Sequence, residues 1–132
     1  MSQTITKSSN EIVKGALDAV HSLDVERALS LIDSAEHVFV DLRDGMGQAK
    51  TGVIPGAVRS SRGMLEFHID PESPAHKAEF NQDKTYIFYC AKGGRSALAA
   101  AVAIDMRLNP VVNLSGGVKA WSNAGGKLSG DR

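Results

Sequence analysis

The sequence has a single cysteine, four prolines, few aromatic residues and no excess of charge of either sign. One cysteine cannot form an internal disulfide, which fits a reducing compartment and excludes a two-thiol mechanism within one chain. Fifteen basic residues balance fifteen acidic ones, which argues against nucleic acid or an anionic membrane as the main partner. No stretch approaches the roughly 18 apolar residues of a membrane span, and residues 1–7 lack the apolar core of a secretory signal. We therefore expect a cytoplasmic protein.

Helices and short strands alternate along the predicted single domain. Apolar residues recur at helical spacing after the capping box Ser8–Glu11 and again after Asp24, which predicts two amphipathic helices. Runs of β-branched and aromatic residues predict four strands, at 38–42, 57–59, 85–89 and 111–114. Two more helices are predicted, over about 95–108 and 117–121. We expect a loop at 43–47 and a long irregular connection over 62–79, broken by one helical turn at 64–67. This pattern indicates an α/β domain with a mainly parallel sheet.

The stretch from Cys90 to Ser96 joins the strongest predicted strand, 85–89, to an alanine-rich helix. Parallel sheets commonly bind ligands at this end of their strands. The helix N-terminus carries about half a positive charge, and with Lys92 and Arg95 it favours the thiolate of Cys90. Two glycines let successive N–H groups turn toward one point, so that the loop can hold a terminal sulfur or a small oxyanion. We expect an exposed thiol at a pocket mouth. The predicted catalytic residues are Cys90 and Arg95, and the predicted substrate-binding residues are Ala91, Lys92, Gly93, Gly94 and Ser96.

Two other interpretations of the stretch from Cys90 to Ser96 are a structural core cysteine and a phosphatase loop. A lone cysteine at the end of a buried strand is commonly a small core residue, but that does not explain two cations and a glycine pair at the same junction. A Cys-x5-Arg spacing is the pattern of tyrosine and dual-specificity phosphatases, whereas four residues separate Cys90 from Arg95. The shorter loop closes on a smaller radius, which favours holding one sulfur over surrounding a tetrahedral phosphate.

Four motifs in the same order resemble those of the rhodanese family, along nearly the whole chain from about Leu23. They are Val40-Asp41-Leu42-Arg43, Ile54-Pro55-Gly56-Ala57, the loop from Cys90 to Ser96, and the segment from Leu114 to Trp121 with Gly116-Gly117 inside it. The resemblance implies a rhodanese-like three-layer α/β domain over 21–132, with about five mainly parallel strands flanked by helices. It also implies a short strand at 21–23, after an N-terminal helical extension over 1–20. Val53 stands where the family often has histidine, so no catalytic role is assigned there.

The resemblance further implies a sulfurtransferase that uses a Cys90 persulfide, with thiosulfate as a typical donor and cyanide or a thiol as the acceptor. No metal or organic cofactor is implied, and the four histidines lack metal-ligand spacing. Asp41 and Arg43 are expected to be structural residues near the site. One alternative is a sulfur-carrier or redox-sensing module loaded by a protein partner. A Cys-dependent phosphatase or arsenate reductase is a second, less favoured alternative.

Overall fold

Five parallel strands form the central sheet of the computed structural model, which describes residues 3–129. Their spatial order is β1-β5-β4-β2-β3, and every pairing is parallel. The predicted parallel sheet, including the short first strand, is therefore confirmed. The strand bounds are β1 Ser22–Leu23, β2 His37–Asp41, β3 Val58–Arg59, β4 Thr85–Tyr89 and β5 Val111–Leu114.

Helices cover both faces of the sheet and make three layers. The helix bounds are α1 Ser9–Ala19, α2 Val25–Leu29, α3 Gly45–Thr51, α4 Leu65–Ile69, α5 Gly94–Asp105 and α6 Gly117–Asn123. Alternate residues of β4 point to opposite faces, so Phe88 packs with the α4 and α5 side chains while Ile87 packs with those of α2 and α6. A strand buried on both faces reads as a continuous apolar run, which is why β4 is so plain in the sequence.

The first helix begins at the predicted capping box and lies on α5. Ser8 Oγ accepts a hydrogen bond from the Glu11 amide at 3.1 Å, and the Ser8 amide donates to Glu11 Oε1 at 3.0 Å. A Cβ placed on Gly94 would lie 3.6 Å from Val13 Cγ1. The helix of the predicted N-terminal extension therefore packs against the first residue of α5. The predicted extension over 1–20 and the predicted domain over 21–132 also include residues 1–2 and 130–132, which lie outside the described residues.

Two predicted loop segments contain helices instead. The loop predicted at 43–47 is wrong from Gly45 onward, because Asp44 caps α3 by accepting the Gly47 amide at 2.9 Å. The connection predicted as irregular over 62–79 contains a 3₁₀ turn at its start, helix α4, and a second 3₁₀ turn at 78–80. Leu65 and Ile69 are one helical turn apart and both are buried, so apolar spacing outweighed the prolines that follow. None of the helices in residues 3–129 is long and apolar enough to cross a membrane.

Candidate active site

Cys90 follows the last residue of β4 and is held inside the loop that leads to α5. Its side chain is only 2% exposed, so the expectation of an exposed thiol is wrong. The expected inward amides are present, because the N–H groups of Gly93 and Ser96 donate to Cys90 Sγ at 3.1 and 3.3 Å. The sulfur is therefore surrounded by polar donors rather than by aliphatic side chains alone, as an inert core cysteine would be.

Two opposing effects set the pKa of the Cys90 thiol. Burial raises this pKa, because a thiolate loses its hydration when it leaves water. The nearby Ser96 side chain and the amides of Ser96, Gly93 and Lys92 lower it. The hydrogen bonds outweigh burial, and the pKa lies below the ordinary value of a cysteine. The loop thus favours the nucleophilic form of the sulfur.

The glycine at the start of α5 shapes the loop. Gly93 is the N-cap of α5 and has φ +108°, a backbone conformation that residues with a Cβ rarely adopt. This conformation turns its own N–H toward Cys90 Sγ while its carbonyl faces away from the sulfur. The two glycines therefore have different roles. Gly93 provides the unusual backbone conformation, and Gly94 packs against Val13 of α1.

Helix α6, which lies on the face of the sheet opposite α5, also contacts the loop. The amides of Val118 and Lys119 donate to the carbonyl oxygens of Cys90 and Ala91 at 2.9 and 3.1 Å. The carbonyl of one residue and the N–H of the next point in opposite directions across a planar trans peptide. Binding the Ala91 carbonyl to α6 therefore turns the Lys92 N–H the other way, and this amide is among the donors that lower the pKa of the Cys90 thiol.

Asn113 contacts the loop from the neighbouring strand β5, and the sequence interpretation missed it. Its Oδ1 accepts from the Ser96 hydroxyl at 2.6 Å, and its Nδ2 donates to the Gly93 carbonyl at 3.1 Å. Asn113 and Ser96 are both buried, at 1% and 0% exposure. The signal in the sequence was a single amide side chain inside the apolar strand Val111–Leu114, because buried polar groups need partners.

The two cations of the loop extend away from the thiol. The side chains of Lys92 and Arg95 are both exposed, and Lys92 influences the thiol through its amide. A cavity of about 390 Å³ adjoins the loop beside Ala91 and Lys92. Val118 and Lys119 of α6 form another part of its wall. The structure thus places two positive charges beside the loop, although neither lies against the sulfur.

The match between the chain and a family model agrees with this geometry. The model of the Rhodanese-like domain matches residues 24–124, which is most of the chain. The chain belongs to the rhodanese-like family. A sulfurtransferase from Allochromatium vinosum is 31% identical over 107 residues, which cover 80% of this chain and 92% of that protein.

Solved structures similar to this chain carry different descriptions of function. A Rhodopseudomonas palustris protein, described as of unknown function and a possible tyrosine phosphatase, is 44% identical with a TM-score of 0.93. The superposition covers 98% of this chain and 99% of that one. A thiosulfate sulfurtransferase from Pseudomonas aeruginosa is 25% identical, with a TM-score of 0.73 over 91% of this chain and 23% of its own.

The Asp-x-Arg segment of the rhodanese-like domain lies at the end of β2, next to β4. Arg43 Nη2 and Asp41 Oδ2 are 2.7 Å apart, and both side chains are almost completely buried. The same guanidinium donates to the carbonyls of Gly47 and Gly52 at 3.1 and 2.7 Å. It therefore ties the end of β2 to the first turn and the C-terminal end of α3, next to strand β4, which precedes Cys90.

Two of the four histidines, His68 and His76, make local side-chain contacts around the end of α4. His68 Nδ1 lies 2.7 Å from Ser60 Oγ, and His76 Nδ1 donates to the His68 carbonyl at 3.0 Å. Burial and the charge of Lys77 lower the pKa of His68, which favours its neutral form. Within residues 3–129, no group of three or more His, Cys, Asp or Glu side chains is arranged to hold a metal ion.

Proposed function

We propose that this rhodanese-like protein is a sulfurtransferase in which Cys90 carries sulfane sulfur as a persulfide. One observation carries the proposal: the only thiol in the chain lies within a ring of amide donors that stabilise negative charge on sulfur. The family and the Allochromatium vinosum relative support a sulfurtransferase-type enzyme. The persulfide, the donor and the acceptor are our proposals for this chain.

In the first half-reaction, the Cys90 thiolate attacks the outer sulfur of a donor such as thiosulfate. A new bond forms between Cys90 Sγ and that sulfur, and the sulfur–sulfur bond of thiosulfate breaks. Sulfite leaves with the bonding electron pair, so no external oxidant or reductant is consumed. The negative charge moves to the outer sulfur of the persulfide, and the loop amides are the groups available to stabilise it.

In the second half-reaction, an acceptor removes the outer sulfur. The lone pair of cyanide carbon or of a thiolate attacks this sulfur, and the bond to Cys90 Sγ breaks. Its electron pair returns to Sγ, which regenerates the thiolate. The product is thiocyanate from cyanide or a small persulfide from a thiol. This double displacement predicts ping-pong kinetics.

The exposed cations are assigned to anion binding. We propose that Lys92 attracts the anionic donor and that Arg95, whose guanidinium has forked donors, binds the donor anion at the start of α5. The adjoining cavity, which Lys119 also lines, provides room for an organic acceptor. We further propose that the reaction takes place in the cytoplasm, where the unpaired cysteine remains reduced.

The first test is the direct detection of the intermediate. Incubation with thiosulfate should add one sulfur atom to the intact protein, as measured by mass spectrometry, and cyanide should remove it. Cys90→Ser should abolish this loading, whereas Ser122→Ala, a change in the wall of the adjoining cavity, should still load. No loading from thiosulfate or any other small sulfane donor, with rapid loading by a cysteine desulfurase, would favour the protein-loaded carrier. No loading from any source would refute the persulfide.

A phosphatase is the second candidate, because the Rhodopseudomonas palustris protein is described as a possible tyrosine phosphatase. A cysteine that follows a strand and precedes a helix N-terminus can also attack phosphate. The four-residue spacing between Cys90 and Arg95 argues for sulfur instead. Hydrolysis of p-nitrophenyl phosphate, compared between the natural chain and Cys90→Ser, separates the two. Cys90-dependent turnover would support the phosphatase, and equal background rates would exclude it for this substrate.

A further inference from the structure

We infer that Asn113 is a positioning residue that holds the Cys90 loop with its amides directed at the sulfur. Gly93 and Ser96 each contact both the Cys90 sulfur and the Asn113 side chain. Gly93 and Ser96 donate their backbone N–H groups to Cys90 Sγ, and Gly93 and Ser96 are also the residues that the Asn113 side chain binds. One amide group on β5 thus fixes both donors. The inference rests on the proposed role of Cys90 as a nucleophile.

The orientation of the Asn113 amide follows from its partners. The Gly93 carbonyl can only accept a hydrogen bond, so the atom that faces it at 3.1 Å must be Nδ2. Oδ1 then faces Ser96 Oγ, and the hydroxyl must donate its one proton to it. This single arrangement satisfies every polar group in the contact. In this arrangement the Ser96 proton points to Asn113 Oδ1, and the amides of Gly93 and Ser96 donate to Sγ.

Asn113 adds a side-chain contact to the backbone contacts of the loop, because the Ala97 amide also donates to the Gly93 carbonyl, at 3.2 Å. Gly93 has no side chain, and its backbone is in the left-handed region where alternative conformations of glycine are easily reached. Holding the Gly93 carbonyl limits rotation of the backbone on the carbonyl side of this residue. Engaging Ser96 Oγ fixes the first turn of α5, in which the Ser96 N–H faces the sulfur. Without Asn113, both amides are freer to rotate away from Sγ.

Charged side chains do not supply the same constraint. Lys92 and Arg95 are the charged residues of the loop, and both side chains are exposed. On the neighbouring strand β2, Asp41 is already paired with Arg43. The side chain of Lys119 on α6 is exposed as well. The geometry therefore points to Asn113, and not to a charge, as the residue that orients the donors.

The test measures the ionisation of Cys90 in the absence of any sulfur donor. Because Cys90 is the only cysteine, its reaction with iodoacetamide as a function of pH reports the midpoint of thiol ionisation directly. Asn113→Leu keeps a similar volume and removes both hydrogen bonds. We expect its midpoint to move upward and its alkylation rate at neutral pH to fall about tenfold, since hydrogen bonds to a charged group are the strong class.

A matched control separates orientation from stability. Val112→Ala lies on the same strand, but its side chain faces the opposite core. It should lower the melting temperature and leave the midpoint unchanged. Asn113→Ser, a small polar replacement that folds more readily than leucine at a polar site, should give an intermediate shift. If Leu and Ser variants that are folded by circular dichroism retain the natural midpoint, the inference is wrong. Failure of the natural chain to load sulfur would instead count against the proposed function and leave these midpoints unaffected.

Discussion

The loops after β2 and β4 leave neighbouring strands at the same edge of the sheet, and each buries one reactive or charged side chain. Arg43 donates to the Asp41 carboxylate and to the carbonyls of Gly47 and Gly52, so its donors are matched by acceptors. Cys90 is buried to a similar degree, yet the backbone groups that hydrogen-bond to its sulfur are donors. A buried group with complementary partners is stable and inert. A buried sulfur that accepts hydrogen bonds from several donors is stabilised in its thiolate form.

The largest expected effect tests whether Arg43 is structural. Arg43→Met leaves the Asp41 carboxylate buried without its partner, and breaking a buried pair in this way costs about 3–5 kcal/mol of unfolding free energy. We expect this loss in urea denaturation, with little change in the ionisation midpoint of Cys90. The double variant Asp41→Asn/Arg43→Met should recover part of the stability. A shift of the Cys90 midpoint comparable to that of Asn113→Leu would mean that the two loops are electrostatically coupled.

A smaller effect is expected where α6 supports the Cys90 loop. A Cβ on Gly117 would lie 2.5 Å from the Cys90 carbonyl oxygen, at φ +63°. Gly125 also has a positive φ, +84°, but no atom lies within 4 Å of the added Cβ. Gly117→Ala should therefore cost about 1–3 kcal/mol more than Gly125→Ala, because only the first adds crowding to backbone strain.

The same pair of variants also reports on chemistry. Gly117→Ala should slow the loading of sulfur from thiosulfate, because the displaced carbonyl shifts the loop amides away from Sγ. Gly125→Ala should load at the natural rate. Equal loading in both variants would indicate that α6 contributes stability only and does not position the loop.

The smallest effect concerns the exposed cation. Lys92→Ala should raise the KM for thiosulfate by about two- to fivefold, because exposed charges contribute less than about 1 kcal/mol, and added salt should diminish the difference. Lys84→Ala is the matched control, since Lys84 precedes the opposite end of the same strand β4. An equal rise in KM for both variants would show that Lys92 acts only through the overall charge of the protein.

The sheet was predictable because its central strands carry their signal locally. Thr85–Tyr89 and Val111–Leu114 are short apolar runs bounded by turns, and their predicted bounds are those of β4 and β5. Helix α3 was missed because Gly45 and Gly47 lower helix propensity. Its stability comes from the Asp44 cap and from the contacts of Arg43, which the local pattern does not report.

The inward amides of the Cys90 loop were predictable from the sequence, but the burial of its thiol was not. The coincidence of Cys90, two glycines and a helix start is visible in seven consecutive letters, and the inward amides follow from it. Burial of the thiol depends on how α5 and α6 close around the loop, which is a tertiary property. The contact from Asn113 joins residues 17 and 20 positions apart, so no local pattern contains it. Sequence reasoning identified the loop around the thiol and missed Asn113, which contacts that loop from β5.

The depth of Cys90 also decides which of two sulfurs an acceptor can reach in the proposed cycle. Attack on the outer sulfur transfers it and frees the enzyme. Attack on the inner sulfur would expel hydrosulfide and leave the acceptor bound to Cys90 as a mixed disulfide, and the chain has no second cysteine to resolve it. Because Cys90 is only 2% exposed, an organic thiol in the proposed cycle would be directed to the productive position. In the proposed cycle, burial of the nucleophile would thus select the outer sulfur and keep the single cysteine from being blocked as a mixed disulfide.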